Sequence, residues 1–256
     1  MKQLGDLKKL SEVASFQWGM FTSAQAERIG VSRHQLKRLA DKGHIDRLAF
    51  GVYKLAGSTT SQFDDIKAVW LGLEPKKFGW ERISEKESGI VVGGHTSTHL
   101  YNVGNLWPEP YFFVSSTRKQ TRKQNVVFRK FCLAAEDITL VKGIPTTSPE
   151  ITIAMLVADH HDKGHIEDIV SDFYHKRELN DLKLAQFLSP YAYSYGFKRN
   201  DGQSFVQHLK HKSVRAKFED FSQVYSENAS ALTPDLTELI ASTNKAKTEI
   251  SRQEEN

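Results

Sequence analysis

Four side chains within six residues carry the plainest chemistry in this sequence: Arg33, His34, Lys37 and Arg38. Three are cationic and the fourth can become so. Leu36 and Leu39 stand among them at the three-residue spacing that turns two apolar side chains to one helical face. With those leucines inward, the four polar residues point largely outward. A guanidinium on such a face suits bidentate hydrogen bonds to guanine in the major groove, and an ammonium suits phosphate or guanine.

Other groupings could do different chemistry. His95 and His99 stand four residues apart, half of a zinc pair, but Thr96 sits where a metalloprotease carries its glutamate base. Protease chemistry then fails, and packing or capping is the expectation. Asp159-His160-His161-Asp162, with His165, Glu167 and Asp168, is the densest run of ligand-type residues. Gly164 interrupts it, so it reads as a polar turn between helices before it reads as a metal site. Asp65 and Glu74-Pro75-Lys76 loosely follow the Asp…Glu-x-Lys order of metal-dependent nucleases. That order belongs on adjacent strands, whereas here it falls on a helix and its proline-terminated end. No Gly-rich phosphate loop and no Gly-x-Ser-x-Gly turn is present. The expectation is no catalytic residue, no metal and no cofactor.

Arg118, Lys119, Arg122, Lys123, Arg129 and Lys130 bring six positive charges with no acid between residues 117 and 130. Two readings stand: a second nucleic-acid contact or a surface for an acidic partner, and a solvated hairpin tip whose charges discourage sheet aggregation. Tyr191, Tyr193, Tyr195 and Phe197 alternate as in a strand or a stacking surface; packing is their expected role.

The elements that must hold the first group follow from local signals. Leu4, Leu7, Leu10, Val13 and Ala14 recur at helical spacing and predict a helix over about 2–16. Thr22-Ser23 offers an N-cap, and Gly30 stops the helix that follows. Ser32 caps a third helix from Arg33 to about Lys42, ended by Gly43. Ala26 is small where two helices must cross, and Ile29, Val31, Leu36 and Leu39 supply the buried face. That is the packing pattern of a helix-turn-helix. His44–Leu48 and Val52–Leu55 flank Phe50-Gly51 as a hairpin, the wing, with Arg47 and Lys54 expected at backbone phosphate beside Thr22 and Ser32.

Beyond residue 60 the sequence predicts a helix ended by Pro75 and a polar loop or insertion over 75–89. A short strand at 90–92, a helix around 95–101, strands at 111–114 and 126–131, and a hairpin around Lys142-Gly143 come next. Ser148-Pro149-Glu150 is a strong helix start. Further helices fit 165–176, 181–188 and about 203–226, and apolar residues thin out afterwards. The fold expected is α+β: a winged helix-turn-helix over 1–60, then a mixed α/β domain over 61–225 with a small sheet and several helices. A helical or partly disordered tail over 226–256 completes it.

Charge is distributed in keeping with this division. Residues 1–60 hold ten basic and five acidic residues, so they carry more than the whole chain's net +4. The basic footprint of a nucleic-acid binder thus sits at the N-terminus. No apolar run approaches the roughly 18 residues of a membrane span, the first residues lack the apolar core of a secretory signal, and one cysteine, Cys132, permits neither an internal disulfide nor a cysteine-based zinc site. A cytoplasmic protein without a membrane role is expected.

The order of these pieces resembles the AbiEi family of bacterial type IV antitoxins over about residues 19–190. The residues that carry the resemblance are Gly51-Val52-Tyr53 after the wing turn, Gly104-Asn105-Leu106, and Gly143-Ile144-Pro145-Thr146-Thr147-Ser148-Pro149-Glu150-Ile151-Thr152. Two departures are Ser97-Thr98-His99-Leu100, where the family often has Ser-Ala-Leu, and the long 75–89 segment. The resemblance implies an antitoxin that represses its own operon by binding promoter DNA, at inverted repeats, in a phage-defence setting. It also implies that the protein offsets a nucleotidyltransferase-like toxin with which it need not form a stable complex.

Overall fold

A computed structural model describes residues 2–176 and 178–211. The chain divides into two compact units, residues 1–166 and 167–256.

The first unit opens with α1 (Lys2–Ala14), β1 (Met20–Thr22), α2 (Ser23–Arg28), α3 (Arg33–Asp41), β2 (Ile45–Ala49) and β3 (Val52–Leu55). The three strands form an antiparallel sheet in the order β1-β3-β2. Both short helices start from reciprocal caps. The Thr22 hydroxyl accepts from the Gln25 amide while the Gln25 side chain accepts from the Thr22 amide, and Ser32 and Gln35 repeat the arrangement. These bonds satisfy N–H groups that a helix start otherwise leaves open. Gly30, at φ +81°, makes the turn between α2 and α3. Leu10, Ala14, Phe21, Ala26, Val31, Leu36, Leu39 and Ile45 form the core of this part.

The chain continues through α4 (Asp64–Leu73), α5 (Gly79–Ile83), β4 (Val91–Val92), α6 (Gly94–Tyr101), β5 (Tyr111–Ser115), β6 (Val126–Lys130), β7 (Ile138–Val141), β8 (Ile144–Thr147) and α7 (Pro149–Ala158). Strands β4 to β8 make a mixed sheet in the order β6-β5-β4-β8-β7. The β4–β8 and β5–β6 pairs are parallel, and the β4–β5 and β7–β8 pairs are antiparallel. The fold is therefore α+β, with a small sheet and several helices after the winged module.

Helix α4 joins the two sheets. Its Ile66, Val69 and Trp70 share one core cluster with Met20 and Val52 of the first sheet and Phe113, Val126 and Ile144 of the second. The Thr147–Thr152 stretch fastens the second sheet to its helices. The Thr152 hydroxyl lies 2.8 Å from that of Thr147 and 3.0 Å from that of Ser97, and the Tyr101 hydroxyl donates to the Thr147 carbonyl at 2.9 Å. Each hydroxyl buried there has a partner, as burial requires.

The segment over 75–89, expected as a loop, contains α5 and a 3₁₀ turn at Lys86–Ser88. Phe78 and Arg82 are buried within it. Lys77 pairs with Glu74 and Glu85, Glu81 with Arg28, and Arg82 with Glu74, so this stretch packs as part of the fold.

The division between the units falls inside α8 (Lys163–Lys176), and the second unit continues with α9 (Asp181–Leu188), a 3₁₀ helix over Ser189–Tyr195 and a helix over 202–211. The alternating aromatics form no strand. Pro190 opens the 3₁₀ helix, Gly196 at φ +89° ends it, and Tyr195 and Phe197 each stack on Phe205 with centroids 4.9 Å apart. Tyr193 stays exposed. The end of the helix expected over 203–226 and the 226–256 tail lie outside the described residues.

Candidate nucleic-acid interface

Helix α3 presents the arrangement its spacing predicts. Leu36 and Leu39 are buried, and Arg33, His34, Lys37 and Arg38 are exposed. Among the described residues no carboxylate pairs with His34, Lys37 or Arg38. Arg33 does have a partner, its Nε donating to Glu27 Oε1 at 2.7 Å. Both side chains of that pair are well exposed, so its contribution falls within about 0–1 kcal/mol and a phosphate can displace it. Ser32 is exposed beside them; its hydroxyl donates to Gln35 Oε1 at 2.7 Å, and Gln35 Nε2 donates to Asp6 at 2.7 Å. That chain of bonds ties the start of α3 to α1.

At the wing, Arg47 is exposed, donates to the Ala49 carbonyl at 3.3 Å, and lies 5.5 Å from the centroid of the Phe50 ring. A register shift between Arg47 and Ala49 bends β2 at this point. Phe50, at the turn, is 89% exposed.

Two residues expected at phosphate are buried instead. Thr22 is fully enclosed: its hydroxyl caps α2 and donates to the Pro75 carbonyl. Lys54 is 5% exposed, and its ammonium donates to Asp64 Oδ2 at 2.6 Å and to the Thr59 carbonyl at 2.9 Å. Neither group can reach a ligand without breaking those contacts. In both cases a partner from beyond the module, Pro75 for Thr22 and Asp64 for Lys54, helps to enclose the side chain. The collar continues along α2, where Gln25 Nε2 donates to the Lys77 carbonyl at 2.7 Å. Arg28 grips both carboxylate oxygens of Glu81 at 2.8 and 2.9 Å. Through that grip, Arg28 holds the Glu81 carboxyl at about 2.

The six charges of the 118–130 segment separate in the structure. β5 and β6 run parallel, with Tyr111 opposite Val126 and Ser115 opposite Lys130, so residues 116–125 are a crossover and no hairpin tip exists. Distant acids compensate two of the cations. Lys119 stands 3.4 Å from Glu74, and Arg129 donates to Asp159 at 2.6 Å while covering the Phe112 ring. Lys123 is half-buried, and burial pushes its ammonium below the ordinary range. Arg118, Arg122 and Lys130 are exposed.

The other groupings stay apart except where His95 and His161 come together, their ring centroids 6.0 Å apart. Asp65 lies in the first turn of α4 and Glu74 caps its end, about 13 Å apart along the axis. Glu74 is held by Lys77, Arg82 and Lys119. His95 bonds the Pro110 carbonyl at 2.9 Å, and His99 meets the Phe63 ring edge-on. Asp162 caps the start of α8 by accepting from the Gly164 and His165 amides. Among the described residues no group of three His, Cys, Asp or Glu side chains is placed to hold a metal. No described helix is long and apolar enough to cross a membrane.

Helix, strand, two helices and a two-stranded wing, with sheet order β1-β3-β2 and a cationic outer face on the third helix, define a winged helix-turn-helix. Residues 8–56 match the family model described as "Transcriptional regulator, AbiEi antitoxin". The matched stretch runs from within α1 to just past β3, so the similarity to that family falls on the winged module. A solved structure, the crystal structure of the RV2827C protein from Mycobacterium tuberculosis, is similar over 79% of this chain and 79% of that one. Its TM-score is 0.46 at 15% identity. No curated protein matches the chain.

Proposed function

We propose that this protein is a cytoplasmic, DNA-binding antitoxin that represses its own operon and offsets a nucleotidyltransferase-like toxin. The observation that carries the DNA half is the outer face of α3: Arg33, His34, Lys37 and Arg38 exposed over buried Leu36 and Leu39. That face enters the major groove, and Ser32 and Arg47 take backbone phosphate. Buried Thr22 and Lys54 take no part in the contact. The toxin half rests on the family match over residues 8–56 and on the motif order further along the chain. No stable complex with the toxin is needed.

A reporter driven by the protein's own upstream region tests the first half. The wild type is expected to silence it. The Lys37→Ala/Arg38→Ala pair is expected to relieve silencing by at least about tenfold, since each good base contact contributes about 1–3 kcal/mol. Equal reporter levels with both proteins would contradict the reading. Co-expression with the neighbouring nucleotidyltransferase-like gene tests the second half. Growth is expected to return with the wild type, and failure to rescue would reduce the protein to a dedicated transcriptional regulator.

A further inference from the structure

We infer that the crossover between β5 and β6, residues 116–125, is a second arm of the same DNA interface, placing Arg118 and Arg122 on backbone phosphate beside the wing. The inference rests on the DNA reading above and extends it to a part of the fold outside the winged module.

Arg47 of the wing and Arg118 of the crossover are 71 residues apart in sequence, but their two segments meet at one stretch of chain. A Cβ built on Gly72 would stand 2.9 Å from Lys123 Nζ and 3.4 Å from a methyl of Val52. Val52 is the first residue of β3, directly after the wing turn. Lys123 of the crossover is thus within a side chain's length of the wing. Two residues further along, Glu74 holds Lys119 at 3.4 Å, and the next carbonyl, that of Pro75, accepts the Thr22 hydroxyl at the start of α2. The stretch from Gly72 to Pro75 is therefore flanked by the winged module and by the crossover. Below it, Val52 and Val126 lie in a single core cluster, so wing and crossover stand on one packed body.

Within the crossover the charges divide by role. Lys119 and Lys123, four residues apart, anchor it against α4. Arg118 and Arg122, one residue before each anchor, are exposed, and no carboxylate pairs with them among the described residues. Arginines held on a tethered loop with no partner give a fork geometry suited to phosphate. Duplex DNA carries one negative charge per about 1.7 Å of axis; Val52 and α4 pack on one face of the winged sheet and α3 on the other, so the arm would take the backbone where it continues past the wing, beyond the α3 contact. A backbone contact positions the duplex without reading it, which fits a loop with no helix or strand to enter a groove.

The test is a salt series on the Arg118→Ala/Arg122→Ala variant of the full chain. Two probes of equal length serve, a duplex from the protein's own upstream region and one of mixed sequence. Two lost phosphate contacts should make the slope of log K against log salt shallower by about 1.8 on both probes. Arg118→Lys/Arg122→Lys should restore most of it. Thermal melting should be unchanged, because both side chains are exposed. An unaltered slope with intact wild-type binding would overturn the arm alone. An unaltered slope together with lost toxin rescue would assign the crossover to a protein partner instead. Absence of binding by the wild type to either probe would overturn the DNA reading and the arm with it.

Discussion

Replacing Asp64 by asparagine is expected to destabilise the first unit by about 3–5 kcal/mol, the range for removing one partner of a buried ion pair. Asp64 sits between two buried lysines, with Lys54 Nζ at 2.6 Å and Lys67 Nζ at 3.8 Å. Lys54 comes from the winged sheet and Lys67 from α4, so the carboxylate neutralises charge at the joint between them. Asparagine keeps the shape and leaves two ammonium groups enclosed without a counter-charge. Burial pushes the Lys67 ammonium down from its ordinary value, and Asp64 partly restores it. With the folded value below the unfolded one, the folded state binds fewer protons between the two, and stability rises with pH across that interval. In Asp64→Asn the folded value drops further, so the loss should be greater near neutrality than in mildly alkaline solution. Adding Lys54→Met should recover part of it. Urea denaturation across pH measures all three proteins; a loss below about 1 kcal/mol for Asp64→Asn would show that water already solvates the cluster.

Glu74→Ala is expected to have a comparable effect, again about 3–5 kcal/mol. Arg82 is 2% exposed, its guanidinium carbon 3.6 Å from the centroid of the Trp70 ring, and it donates to the Trp70 carbonyl. Its Nε stands 3.4 Å from Glu74 Oε2. Without Glu74, the nearest counter-charge to an enclosed cation disappears. Lys77 and Lys119 lose a partner at the same time, and the latter loosens the crossover. Burial pushes the Glu74 carboxyl up, but Arg82, Lys77 and Lys119 together bring it below its ordinary value. A depressed carboxylate stabilises above the unfolded value of 4.5, and that stability is lost as pH falls through the folded value. The wild type should therefore weaken on acidification below about pH 5, and Glu74→Ala should show a flatter acid limb. Identical acid limbs would remove Glu74 from the account.

Much of the winged module was legible because its signals are local. The Thr22 and Ser32 hydroxyls each accept from an amide three residues further on, Gly30 and Gly43 supply positive φ, and leucines three apart face the core. Strand β1 escaped because three residues, Met20 to Thr22, are too few to show a period, and its pairing with β3 spans thirty residues of chain. The residues read wrongly share a different reason. Lys54 and Thr22 are polar residues in a basic module, and nothing nearby in sequence announces that Asp64 and Pro75 will enclose them. The 75–89 segment reads as a loop or insertion because Phe78 and Arg82 are spaced among charges with no amphipathic stripe, while Phe78 packs under Arg28, Arg82 on Trp70, and the Gly79 amide donates to Gln17, all from elsewhere in the chain. Likewise, the run from Arg118 to Lys130 contains no acid, yet Glu74 and Asp159 reach it across the fold. Hydrogen-bond caps are written within four residues, whereas burial of charge is written between elements.

The most direct test of the central claim is binding of the purified full chain to its own upstream duplex across a salt series. It is run beside an Arg33→Ala/Lys37→Ala/Arg38→Ala variant whose folding is checked by circular dichroism. The account predicts a steep loss of wild-type affinity with salt, about 0.9 in log–log slope for each phosphate neutralised. It also predicts that the variant loses preference for the upstream duplex over mixed sequence. Equal, weak and sequence-indifferent binding by both proteins would contradict it and make the winged module a protein-contact domain.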